Sequence, residues 1–174
     1  MQNFIESFFY NKKIQVLIYS IFSIYFFYEY LGPNVNPGDN GDGKSIVGLL
    51  ENIFIAFSTK EISIIQTFHL YLIKDTLFFG DTYFGLSWIY IILRYLSFDI
   101  YVSYKFLFFI TFLVNFISCY FCCKYFKISD SSSLFASFFF TFGFPVIAQD
   151  SHYVLLIRAY VPICIILIFN YFKT

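Results

Sequence analysis

The chain has 174 residues, enough for one domain, of which 59% are hydrophobic and 13% charged. Soluble domains run near ~45–50% and ~25%, and 28 Phe with 16 Tyr exceed what one core of this size can bury, so a soluble domain and a disordered chain are both excluded. Eleven basic residues balance eleven acidic ones, which removes the basic footprint of a nucleic-acid binder.

The composition predicts an all-α, polytopic membrane protein. A span needs roughly 20 apolar residues. The first falls at about residues 14–31, behind Lys12 and Lys13. It closes on Tyr28, Glu29, Tyr30 and Leu31, bulky or charged where a cleavage site needs small residues, so it reads as a retained helix. The segment from residue 32 to 99 is then a long outer loop. It opens on turn chemistry (GPNVNPGDNGDG). At about residues 44–57, Ile46, Leu49, Leu50, Ile53, Phe54 and Phe57 recur at helical spacing and predict an amphipathic helix on the membrane surface.

Residues 84–96 are apolar but short, and they contain Arg94. If this segment lies in the interface, Lys12, Lys13, Lys124, Lys127 and Lys173 all fall on one side, as the positive-inside rule prefers. Trp88, Tyr90 and Tyr95 suit an interfacial helix as well. Further spans are expected at about residues 100–123, 133–148 and 153–172, with both termini cytoplasmic. Ser129 to Ser132 reads as a turn and N-cap for the third span. Asn115 inside the second reads as an interhelical hydrogen bond. Cys119, Cys122, Cys123 and Cys164 lie in apolar segments and behave as small hydrophobes. S-acylation of Cys122 or Cys123 and a metal site on Cys119, Cys122 and Cys123 are the weaker readings.

The outer loop carries three motifs. Gly38 to Ser45 (GDNGDGKS) matches the P-loop pattern letter for letter. A membrane helix and prolines precede it where a buried strand should stand, and Asp39 and Asp42 would repel phosphate, so no nucleotide is expected. A calcium loop in the same residues would place Gly38 and Leu49 where carboxylates are required. A divalent ion held by Asp39 and Asp42 stays open beside the plain reading of both as turn formers.

The third motif is a matter of position. Gly41-Asp42-Gly43-Lys44 with Leu50-Glu51, then Phe79-Gly80-Asp81-Thr82 with Gly85, then Leu93-Arg94, follow the first span in order. Phe142-Gly143-Phe144-Pro145, Ala148-Gln149, His152, Arg158 and Pro162 come later. This series resembles the start of the GT-C superfold of membrane glycosyltransferases, and within it large bacterial inner-membrane proteins. The resemblance covers residues from Asp39 to the end. It implies transfer from a polyprenyl-phosphate-linked sugar at the extracytoplasmic face. Asp42, with Asp39, would serve as base or acceptor-positioning acid. Lys44, Glu51, Asp81, Arg94, Gln149, His152 and Arg158 would contact substrate, with a divalent ion or basic groups on the lipid phosphate. An attacking hydroxyl needs a proton acceptor and a leaving phosphate needs positive charge, which Lys44, Arg94 or Arg158 would supply. Asp39 and Asp42 stand three apart, whereas some GT-C families carry an adjacent acidic doublet. That superfold has more helices than four, so the chain is expected to be the N-terminal part of a larger module.

Each residue also has a plain structural reading. Glu51 fits the polar face of its helix, and Asp81 fits a helix cap. Arg158, about two turns into the fourth span, faces a cavity, pairs with an acid such as Asp150, or snorkels. The alternative function is a non-catalytic subunit or degenerate remnant. A transporter is disfavoured, since no repeat or broken-helix pair is visible.

Overall fold

Asn11 opens the first described helix by accepting hydrogen bonds from the backbone N–H groups of Lys13 and Ile14 (3.1 and 3.4 Å). Such a cap satisfies donors that no helical carbonyl reaches. The computed structural model describes residues 11–32, 42–59, 84–143 and 157–173. Of these, 88% are helical, in six helices, with no strand among them. They are α1 (Lys12–Leu31), α2 (Asp42–Thr59), α3 (Phe84–Tyr95), α4 (Ile100–Tyr125), α5 (Asp130–Phe142) and α6 (Tyr160–Lys173). All-helical architecture is therefore as expected. Among the described residues one helix, α4, is long and apolar enough to cross a membrane; α6 is apolar but shorter. The third and fourth expected spans run partly outside the described residues.

Element ends follow local chemistry. At the close of α1 a Cβ on Gly32 would sit 2.6 Å from the Tyr28 carbonyl oxygen, so only glycine fits there. The turns after α3 and α4 share one construction. Ser97 and Lys127 adopt positive φ (64° and 58°). Phe98 and Ile128 then donate to the carbonyls of Leu93 and Cys123, while Ser97 and Lys127 donate to those of Arg94 and Lys124. This is the Schellman arrangement. A capping residue follows at once in each case. Asp99 accepts from Tyr101 and Val102 N–H (2.8 and 3.4 Å), and Ser129 accepts from Ser132 N–H (3.3 Å). Ser129 is thus the expected cap, but Asp130 to Ser132 already belong to α5.

The chain divides into two compact units. The first contains α1, α4 from Phe109 onward, α5 and α6. Aromatic rings hold it together. Tyr19 stacks on Phe138 at 4.4 Å, Phe26 meets Phe142 at 5.1 Å, and Phe112 stacks on Phe142 at 5.4 Å. Phe27 meets Phe109 at 4.9 Å. Such pairs add about 0.5–1.5 kcal/mol each beyond burial, which gives the Phe-rich composition a structural use. The contacts also fix direction. The start of α1 meets the start of α5 through Lys12 and Asp130, so these two run parallel. The end of α1 meets the middle of α4, which runs opposite. Phe169 of α6 meets Phe126 at 5.1 Å, just past the end of α4, so α6 runs with α4.

Asp130 joins three elements of this unit. Lys124 and Lys12 both reach its carboxylate, at 2.8 and 3.0 Å. The Lys124 hydrogen bond, then that of Lys12, hold the Asp130 carboxyl at about 2, below its ordinary 3.8. A lowered carboxyl pKa stabilises the fold above the ordinary value, and that contribution fades as pH falls through the folded value. Amide-exchange protection at the start of α5 should therefore hold at neutral pH and decline between pH 3.8 and about 2. Asp130→Asn should show low protection that does not change across that window.

In the second unit α2 packs on α3. Leu49, Ile53 and Ile91 form its core, with Phe54 and Phe57 against it. Ile46, Val47, Leu50 and Ala56 are buried with them. The helical period predicted for α2 is thus correct, although the helix starts at Asp42 and ends at Thr59 rather than at 44 and 57. Gly48 lies on the exposed side with nothing within 4 Å of an added Cβ. Gly48→Ala should raise stability by about 0.5–1 kcal/mol, because glycine weakens helix interiors; denaturant melts in detergent would measure it.

Candidate functional site

The second unit closes around one ionic group. Glu51, in the third turn of α2, turns toward α3 (Phe84–Tyr95), whose last turn carries Arg94. Arg94 Nη2 donates to Glu51 Oε1 and Nε donates to Oε2, both at 3.0 Å. This is the two-pronged geometry that a planar guanidinium makes with a carboxylate. Tyr90, one turn before Arg94, donates its hydroxyl to Glu51 Oε2 at 2.6 Å. Arg94 Nη1 donates to the Phe98 carbonyl, and the guanidinium lies over the Phe54 ring, 5.2 Å from its centroid. Both charged side chains are 19% exposed.

Burial and the Glu51 hydrogen bond push the Tyr90 hydroxyl far above its ordinary pKa. The same carboxylate raises Arg94. The group is therefore a protonated tyrosine, a carboxylate and a guanidinium that satisfy one another. It joins α2 to α3.

The sequence-predicted residues distribute as follows. Asp42 is the first residue of α2, and Lys44 lies exposed in its first turn. Gly43, Lys44 and Ser45 of the P-loop match are thus helical. Glu51 and Arg94 come together, but on each other. Glu51 is consequently not a solvated polar-face residue, because α3 covers it. Asp39, Asp81, Gln149 and His152 lie outside the described residues, as does Asp150. Among the described residues no three His, Cys, Asp or Glu side chains form a group able to hold a metal ion.

Arg158 belongs to the first unit and precedes α6 instead of lying two turns inside a helix. Pro162 gives the reason. It has no N–H to donate and its ring crowds the carbonyl four residues back, so it fits the first turn of a helix and not its interior. The Arg158 backbone N–H donates to Asn115 Oδ1 at 3.0 Å. The interhelical role expected for Asn115 is therefore real, with the start of α6 as its partner.

Tyr90 is a further member of the group that the sequence alone does not single out. Read as an interfacial aromatic, it is instead completely buried. Its spacing of four from Arg94 was the available signal, since positions four apart share a helix face. Comparison of the chain with protein-family models, curated proteins and solved structures finds no match.

Proposed function

We propose that the chain is an integral membrane protein resembling the N-terminal module of a glycosyltransferase of GT-C type. It acts on a polyprenyl-phosphate-linked sugar at the extracytoplasmic face of the bacterial inner membrane. One observation carries the membrane part. In the first unit the polar side chains Gln15, Ser133, Ser137 and Thr141 are buried, whereas Ile163, Leu167, Phe169 and Phe172 of α6 point outward. Water would favour the reverse. In lipid an apolar exterior is neutral and small polar residues belong at helix contacts. The alternating directions of α1, α4, α5 and α6 also suit four successive crossings.

The glycosyl-transfer part rests on the motif series and on the place of Asp42 and Lys44 at the start of α2. In this reading Asp42 accepts the proton of the attacking acceptor hydroxyl, and Lys44 meets the donor phosphate as the bond to the sugar breaks. A divalent ion on Asp39 and Asp42 would take over part of that charge. The mutual pairing of Glu51 and Arg94 favours the second reading, a non-catalytic membrane subunit, because it leaves neither group uncommitted.

Two measurements test the membrane reading together. The chain should stay in the membrane pellet after alkaline carbonate extraction. With the native cysteines replaced, Asn40→Cys and Ser151→Cys should react with an impermeant thiol reagent from outside, and Ser131→Cys should not. Release by carbonate would end the membrane reading. Outside labelling of Ser131→Cys would reverse the topology and make α3 a span.

A further inference from the structure

The contacts of the first unit gather lysines that the chain keeps far apart. Lys12 and Lys13 open α1, Lys124 and Lys127 stand at the close of α4, and Lys173 ends α6. Lys12 and Lys124 meet on Asp130. The Tyr125 hydroxyl bonds to Asn170, and Phe126 packs on Phe169, so the last turn of α6 finishes beside the end of α4. All five ammonium groups therefore belong to one end of the unit. Asp130 is the one carboxylate at that end among the described residues, and two lysines already hold it. Lys13, Lys127 and Lys173 are exposed and have no acidic partner among the described residues. Lys127 holds φ 58° at the C-terminal turn of α4, where a cation also suits the helix dipole.

We propose that this end of the unit is a docking surface for the anionic headgroups of phospholipids. The proposal rests on the membrane reading above, not on sugar transfer. Three long-stemmed ammonium groups surround the ends of apolar helices, where a bilayer presents its phosphates. Lysine suits this place, because its apolar stem lies along the helix while the compact charge reaches the headgroup. The free phosphate ion shares the chemistry, but only a lipid supplies it fixed at the depth where these helices end.

The test uses the whole chain in nanodiscs of phosphatidylcholine with a minor fraction of phosphatidylglycerol. After extraction in mild detergent, the lipid that stays bound is measured by mass spectrometry. The wild-type chain should retain phosphatidylglycerol roughly fivefold above its bulk share, the worth of about one lysine near an anionic surface. The variant K13Q/K127Q/K173Q should retain it at the bulk share, and K13R/K127R/K173R should behave as wild type. High salt should erase the wild-type enrichment, because exposed charges are screened within a Debye length; that result does not depend on any variant folding. Excess glycerol phosphate in solution should leave it unchanged. Competition by glycerol phosphate would mean a soluble-anion site and overturn the lipid assignment. Equal retention by wild type and the glutamine variant, or no wild-type enrichment in a carbonate-resistant protein, would overturn the proposal while leaving the membrane reading intact.

Discussion

If the protein transfers sugar as proposed, Asp42→Asn should abolish that transfer while leaving the protein in the membrane at its normal level. The substitution is nearly isosteric. It keeps an oxygen at the start of α2 (Asp42–Thr59) and removes the proton acceptor and the negative charge. Loss of general-base help is typically ~10²–10⁴-fold, and loss of an ion ligand would add to it. Some helix stability also goes, because a carboxylate in the first turn interacts with the macrodipole, by about 0.3–1 kcal/mol. That is too small to account for a hundredfold loss, so rate and protein level separate the two effects. Asp39→Asn should cost less if Asp39 only shapes the turn, and as much if both carboxylates share an ion. Lys44→Ala should raise the donor concentration needed more than it lowers the maximal rate, since in the proposed reading it removes the charge that meets the donor phosphate. The assay is transfer from a lipid-linked sugar in membranes, with protein level fixed by blotting. Near-normal transfer by Asp42→Asn would remove it from the site and turn attention to Asp81 and to the Asp150–His152 turn. If no lipid-linked sugar is consumed by any form of the protein, the subunit reading takes its place.

Local pattern made much of this fold legible. The apolar period of α2 marked Ile46, Leu49, Leu50 and Ile53, all of which are buried. The segment at 84–96 is a helix that stops at Tyr95, and the span expected at 100–123 extends only to Tyr125. The lysines assigned to one membrane side by a charge rule do gather at one end of the first unit. What local pattern could not show is pairing across distance. Glu51 and Arg94 stand 43 residues apart, and each has a plausible solvated role on its own helix. Only the packing of α2 on α3 decides that they meet. Tyr90 was missed for a related reason. A tyrosine on an apolar helix fits a membrane interface and a buried hydrogen bond equally well, and the choice depends on whether a carboxylate waits opposite. Arg158 was misplaced by a rule that was available, since Pro162 does not belong two turns inside a helix. The candidate site was less legible than the fold, because four of its nine expected members, Asp39, Asp81, Gln149 and His152, lie outside the described residues.

Arg94→Ala should open the α2–α3 unit. The guanidinium makes two 3.0 Å bonds to Glu51, a third bond to Phe98 and a face contact with Phe54. Breaking a buried ion pair by removing one partner costs about 3–5 kcal/mol, because the other charge is left without compensation. Here both side chains retain 19% exposure, so water recovers part of that, and about 2 kcal/mol is the expected loss. Hydrogen exchange across Leu49 to Ile53 should report it. Glu51→Gln should cost less, since an amide oxygen can still accept from Arg94 or Tyr90. Tyr90→Phe should cost about 1.5–3 kcal/mol, the usual worth of a hydrogen bond to a charged group. Arg94→Lys should not rescue, because an ammonium cannot make the paired contact. The decisive variant replaces both partners at once. Glu51→Met with Arg94→Leu keeps apolar volume and leaves no orphan charge, an exchange that is often neutral or stabilising. If Arg94 is only a strut between the helices, this double variant regains exchange protection and, in an active protein, transfer. If Arg94 also meets the donor phosphate, protection returns and transfer does not. Unchanged protection in Arg94→Ala would mean that apolar packing around Leu49, Ile53 and Ile91 holds the two helices together unaided.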